Sequence, residues 1–191
     1  MRTFIIVSIA LLCFRCSLGQ SVSGETTVRR INKEYTKWLS QWQNGQLKET
    51  DLHVDSTYKI QPTLSFQHSE KRFQSCSPSG NNCIDIYSGS YDFDENSNSV
   101  DFNGEPESLI ILSAENTDTI LLHYGYSMVF QDLFWNSKNQ FVVLGYEIAN
   151  RNTNTPTIWV FDLALRVYQV YHFKGVKNDV LTNYVLSKFN R

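Results

Sequence analysis

The chain has 191 residues, with 17 Lys and Arg against 19 Asp and Glu, and 14% of its residues are aromatic. That is one domain's worth once a leader is removed, since domains cluster at about 100–150 residues, and a mean hydropathy of -0.32 with 41% hydrophobic residues describes a soluble chain able to bury a core. Disorder, collagen and a multi-pass membrane protein are excluded, and the near-neutral charge lacks the basic stripe with which nucleic-acid binders neutralise phosphates.

Residues 1–19 read as a signal peptide. Arg2 supplies the positive start, Phe4 to Phe14 forms an apolar run too short to span a bilayer, and Ser17 and Gly19 place small residues where a signal peptidase reads. Cleavage after Gly19 leaves residues 20–191 as a single secreted or periplasmic domain that does not span a membrane. Acylation of Cys13 or Cys16 is disfavoured, because Leu12 and Arg15 precede them where a small residue is needed. Losing Arg2 and Arg15 leaves 15 basic residues against 19 acidic, a net charge of -4. The mature chain keeps only Cys76 and Cys83, which an oxidising compartment would join across the turn formers Ser77 to Asn82.

Val28, Ile31, Tyr35, Trp38, Leu39 and Trp42 recur at the spacing of one helical face, with Arg29, Arg30, Lys33, Lys37 and Gln41 opposite. They predict an amphipathic helix of about five turns, capped by Ser23 and ended by Gly45. From Tyr58 the period becomes two. Tyr58–Ile60 and Leu64–Phe66 flank Pro62 as edge strands, Phe73–Cys76 turns into Cys83–Tyr87, and the polar stretch Asp92–Gly104 reads as a long hairpin or loop. Strands are expected at Leu109–Leu112, Ile120–His123, Phe141–Tyr146, Ile158–Asp162 and Val167–Phe173, and a short helix at Asp179–Phe189 capped by Asn178 or Asp179.

An internal repeat emerges from these elements. Ser79–Ile86 aligns with Ser137–Leu144, and Leu109–Ser113 with Ile158–Asp162, each of the latter followed by a turn and a strand, Ile120–Tyr124 or Val167–Tyr171. With Ser77-Pro78-Ser79-Gly80 as turn and Ile158-Trp159-Val160-Phe161-Asp162-Leu163 as strand, about half of the chain resembles the blades of WD-repeat and TolB-like propellers, and the whole is similar to exported bacterial proteins of unknown activity that carry one or two such units. Two blades cannot close a ring. The expected fold is therefore mainly β (α+β): an antiparallel sheet built from two propeller-blade-like repeats, covered by an N-terminal and a C-terminal amphipathic helix.

No G-x-S-x-G, H-E-x-x-H, P-loop or G-x-G-x-x-G spacing occurs, and His53, His68, His123 and His172 lie singly along the chain. No catalytic residue is assigned. Asp94, Asn96, Asn98 and Glu105 fall at positions 1, 3, 5 and 12 of a calcium loop, although Ser99 replaces its glycine and no helices flank it. No cofactor is expected, a solvated hairpin tip being the favoured reading of these residues and Ca²⁺ the alternative. Ser88-Gly89-Ser90-Tyr91 resembles the S-G-x-Y loop of the periplasmic inhibitors of invertebrate-type lysozymes, which implies that Ser88 and Tyr91 would hydrogen-bond a lysozyme's catalytic carboxylates; a glycine bulge between two strands is the structural reading of the same residues. The leading expectation is an exported, non-catalytic binding module for a protein or glycan partner. The lysozyme inhibitor comes second, and a hydrolase using carboxylates brought together by the fold comes third.

Overall fold

The structure is a computed structural model and describes residues 33–42, 52–62, 64–66, 69–104, 107–115, 117–150, 153–173 and 184–190. The leader with Cys13 and Cys16, the expected helix start at Ser23 and stop at Gly45, His68, Glu105 and the caps at Asn178 and Asp179 lie outside the described residues. Helix α1 (Lys33–Leu39) is followed by twelve strands, β1 (Leu52–Lys59), β2 (Leu64–Ser65), β3 (Ser75–Cys76), β4 (Cys83–Asp85), β5 (Tyr91–Asp94), β6 (Ser99–Phe102), β7 (Ser108–Ala114), β8 (Thr117–Tyr124), β9 (Met128–Trp135), β10 (Gln140–Asn150), β11 (Thr153–Asp162) and β12 (Val167–Phe173), and by helix α2 (Tyr184–Phe189). Among the described residues no helix is long and apolar enough to cross a membrane.

The molecule is mainly β, and among the described residues every strand pairing is antiparallel. The strands form two open five-stranded sheets, β1-β12-β11-β10-β9 and β2-β8-β7-β4-β3, and the hairpin β5-β6. In the first sheet the successive strands β9 to β12 run as a meander, in the second β3, β4, β7 and β8 follow the same order, and an earlier strand is added beyond the last of each: β1 beside β12, β2 beside β8. The β5-β6 hairpin comes between β4 and β7 in the chain.

Register explains the core of the first sheet. Trp135, Phe141, Phe161, Tyr168 and Tyr58 are successive cross-strand partners on β9, β10, β11, β12 and β1, and their rings follow one another at 5.3, 4.7, 5.1 and 5.1 Å. Aromatic pairs directly opposite each other contribute roughly 0.2–1 kcal/mol each beyond small residues, so this ladder fixes the strand register. The second sheet meets it where the Trp135 indole N–H donates to the Ser75 carbonyl at 2.8 Å and Ser108 Oγ donates to the Met128 carbonyl.

Strand β9 has no place among the strands expected from sequence. Its burial runs through both faces, with Gln131 and Asp132 at its centre as buried as their apolar neighbours. The alternation that marks a half-exposed strand is therefore absent. In α1, Tyr35 and Trp38 are the buried positions, and Trp42, three residues beyond the end of the helix, is buried as well. Trp38 packs on Phe173 at 6.4 Å, and Trp42 meets Tyr146 edge-on at 5.9 Å.

Candidate functional site

The turn that follows β4 shows how local sequence places the site. The carboxylate of Asp85, fully buried, accepts from the Tyr87 N–H at 2.7 Å, the Ser88 N–H at 3.1 Å, the Ser88 hydroxyl and the Ser69 hydroxyl at 2.9 Å. A short Asp side chain closing on the amides that follow it is the mechanism of an Asx turn, and here it reverses the chain between β4 and β5. Gly89 completes the turn, because a Cβ there would run into the Glu107 carbonyl oxygen and the Leu109 side chain. Ser90 Oγ then donates to that same carbonyl at 3.0 Å. The S-G-x-Y segment is thus fastened down residue by residue, and the Ser88 donor is spent on Asp85 while its oxygen accepts from the Glu70 N–H.

The turn delivers Tyr91 to the wall of a cavity of about 330 Å³. Phe102, its cross-strand partner on β6, stands beside it with ring centroids 5.9 Å apart, and is half exposed. Val129, Phe130 and Gln131 of β9 and Tyr146 of β10 form the floor, and Val185 and Leu186 of α2 form the opposite wall. A bulge makes the floor: Leu144 pairs with Asp132 and Gly145 with Phe130, so Gln131 has no partner in the ladder. Gly145 is required for this, since a Cβ at that position would collide with the Val129 carbonyl. The displaced Gln131 is put to use, its side-chain oxygen accepting from the Trp38 indole at 2.9 Å and its carbonyl from the Tyr87 hydroxyl at 3.1 Å.

The cavity is dominated by apolar side chains, and among the described residues no Asp, Glu, Lys, Arg or His lines it. Among its polar groups, Ser90 and Ser108 have donated their hydrogens to backbone carbonyls. The hydroxyls of Tyr91 and Tyr146 have no hydrogen-bond partner among the described residues. Burial pushes both phenols up, Tyr91 to about 12, with the neighbouring Tyr146 as a lesser cause. Both are therefore neutral O–H groups throughout the physiological range.

The α2 wall is held from behind. Asp132, buried on β9, accepts from the Tyr184 hydroxyl at 2.6 Å, from the Leu133 N–H at 2.9 Å and from the Lys188 ammonium. Lys188 also donates to the Tyr87 hydroxyl at 3.1 Å, and burial followed by the Asp132 charge raises the Tyr87 phenol well above its ordinary value. Past the helix, the Asn190 amide accepts from the Val100 N–H and donates to the Val100 carbonyl, which pins the chain end to β6.

Other residues singled out from sequence lie elsewhere. Asp94 caps the β5-β6 turn through the Asn96 N–H at 2.9 Å and the Ser97 hydroxyl at 2.7 Å, bonds that lower its carboxyl, and the Asn98 side-chain oxygen accepts from Arg72 at 2.8 Å. Asn98 has φ of 51°, the left-handed geometry that Asn tolerates at a turn. No group of three or more His, Cys, Asp or Glu side chains is placed to hold a metal among the described residues. Cys76 and Cys83 are cross-strand partners of β3 and β4 joined as a disulfide. Register also brings together what the chain separates: His53 lies opposite His172, whose Nδ1 is 3.0 Å from Thr157 Oγ1 and whose ring nitrogens stand 3.8 and 3.9 Å from the Asp55 and Glu147 carboxylates. Tyr146, Phe102 and Gln131 are the site residues that sequence reading misses, because a strand pattern says which face a residue occupies and not whether that face closes on a neighbour or on a void.

No family model, no curated protein and no solved structure matches this chain.

Proposed function

We propose that the protein is an exported, non-catalytic binding domain in which two blade-like sheets and the C-terminal helix enclose one site for a small apolar ligand. The observation that carries this reading is that Tyr91 and Tyr146, whose hydroxyls have no partner among the described residues, both line a mainly apolar cavity. A neutral hydrogen bond contributes about 0.5–1.5 kcal/mol, and a ligand acceptor would supply one to each hydroxyl. Few polar groups converging in an apolar cleft of about 300 Å³ or more is the general form of a small-molecule site. A glycan would need a denser set of hydrogen-bonding groups than these walls carry.

The blade-like part of the proposal is supported by the shared strand plan. The aligned segments of the sequence repeat fall on β4, β7 and β8 in one sheet and on β10, β11 and β12 in the other, in the same order. Export is supported by the leader pattern of residues 1–19 and by the Cys76–Cys83 bridge, which persists in oxidising compartments. The test is equilibrium binding of the neutral fluorescent probe N-phenyl-1-naphthylamine to the purified protein. One saturable site is expected, weakened at least about tenfold in Leu186→Trp, which fills the cavity from the helix side. Absence of binding, or equal affinity in a Leu186→Trp variant with a native circular dichroism spectrum, overturns the proposal.

A further inference from the structure

We infer that the cavity selects uncharged ligands of one- or two-ring size that carry a hydrogen-bond acceptor, an aryl ketone being the simplest example, over the matching carboxylate and the matching hydrocarbon. The inference rests on the ligand-site reading given above and names the chemical class which that site takes.

Three features of the walls set the class. The first is charge. With no ionisable side chain other than tyrosine in the lining among the described residues, a carboxylate entering the cavity would lose its hydration without meeting a cation there. Lys188, on the same helix as Val185 and Leu186, is committed to Asp132 and to the Tyr87 hydroxyl. The second is donor balance. The two phenols remain protonated far above neutral pH because burial opposes the phenolate, and neither O–H has an acceptor among the described residues. Ser90 and Ser108 add no free donor, having given theirs to the Glu107 and Met128 carbonyls. The unmet need is thus for a ligand oxygen or nitrogen that accepts. The third is shape. Volume at the lower end of the range for ligand pockets limits the ligand to a size below that of a typical drug, and the half-exposed Phe102 ring set edge-on to Tyr91 provides flat apolar surface at the site.

The experiment is displacement of N-phenyl-1-naphthylamine by three compounds of one shape: 2-acetylnaphthalene, 2-ethylnaphthalene and 2-naphthoate, each also titrated directly by calorimetry. The ketone is expected to bind about tenfold more tightly than the hydrocarbon, the value of roughly one to two neutral hydrogen bonds, and more tightly than the carboxylate at pH 7. Its affinity is expected to stay constant from about pH 6 to 9, well below the phenol transitions. Tyr91→Phe and Tyr146→Phe each shrink the ketone's advantage, and the double variant binds ketone and hydrocarbon equally. Equal binding of ketone and hydrocarbon to the wild type, a carboxylate preference, or a double variant that keeps the ketone's advantage overturns the class while leaving an apolar site in place. Failure of every compound to bind overturns the class and the site together.

Discussion

Tyr91 is a residue for which sequence and structure supply different reasons. The four-residue S-G-x-Y pattern draws attention to it as one half of a hydroxyl pair with Ser88, whereas in the fold Ser88 closes a turn on Asp85 and Tyr91 has Tyr146 as its polar neighbour, 55 positions farther along the chain and one sheet away. A local motif reports the turn that its own residues make; it cannot report a partner that arrives by tertiary packing. Asp132 presents the same problem more sharply. In sequence it is one acidic residue among many, and in the fold it is the buried acceptor for three donors from β9 and α2. Removing one member of a buried charged pair leaves the other uncompensated. Lys188→Met is therefore expected to lower unfolding stability by about 3 kcal/mol, the low end for an orphaned buried charge because the Tyr184 and Leu133 donors remain. Urea unfolding checks it, and a loss below about 0.5 kcal/mol, the range of an exposed pair, would contradict the clamp.

Elements were legible where a turn cluster or a clear period marks them. The hairpin β5-β6 carries its turn residues in a polar cluster and announces itself in the chain, whereas the outer strand β1 is exposed at six of its eight positions, shows no alternation, and only its end at Tyr58 and Lys59 reads as strand. Strand β9 is covered on both sides, by α1 and α2 and by the neighbouring sheet, so its hydrophobicity has no period. It is also the element on which the site depends most, since its bulge at Gln131 makes the floor of the cavity. The short β3-β4 pair is the converse case. Two and three residues long, it cannot hold itself by hydrogen bonds alone, and the Cys76–Cys83 link closes its turn covalently. In the chain-entropy picture, closing a loop of this length stabilises the fold by roughly 2–3 kcal/mol. Cys76→Ser combined with Cys83→Ser is expected to show that loss in denaturant unfolding; equality with the oxidised wild type would mean that the link contributes nothing to stability.

At the scale of the whole molecule, two sheets with the same strand order stand side by side, and neither closes into a ring. The sequence pattern marks most of these strands but leaves their order open, because turns and strands are local signals and pairing is not. It could not foretell that β1 and β2, consecutive in the chain, would be dealt one to each sheet, since that choice is made by long-range pairing. Nor could it place the cavity, whose walls come from the β5-β6 hairpin, from the bulge in β9 and from α2, the parts that depart from the strand order the two sheets have in common. The claim that these departures together build a ligand site is tested most directly by an amide ¹H–¹⁵N NMR titration with 2-acetylnaphthalene. The account predicts saturable shifts at Ser90, Tyr91, Phe102, Val129 to Gln131, Tyr146, Val185 and Leu186. Shifts confined to the exposed strand β1 or to the tip of the β5-β6 hairpin, or no shifts at all, would contradict it.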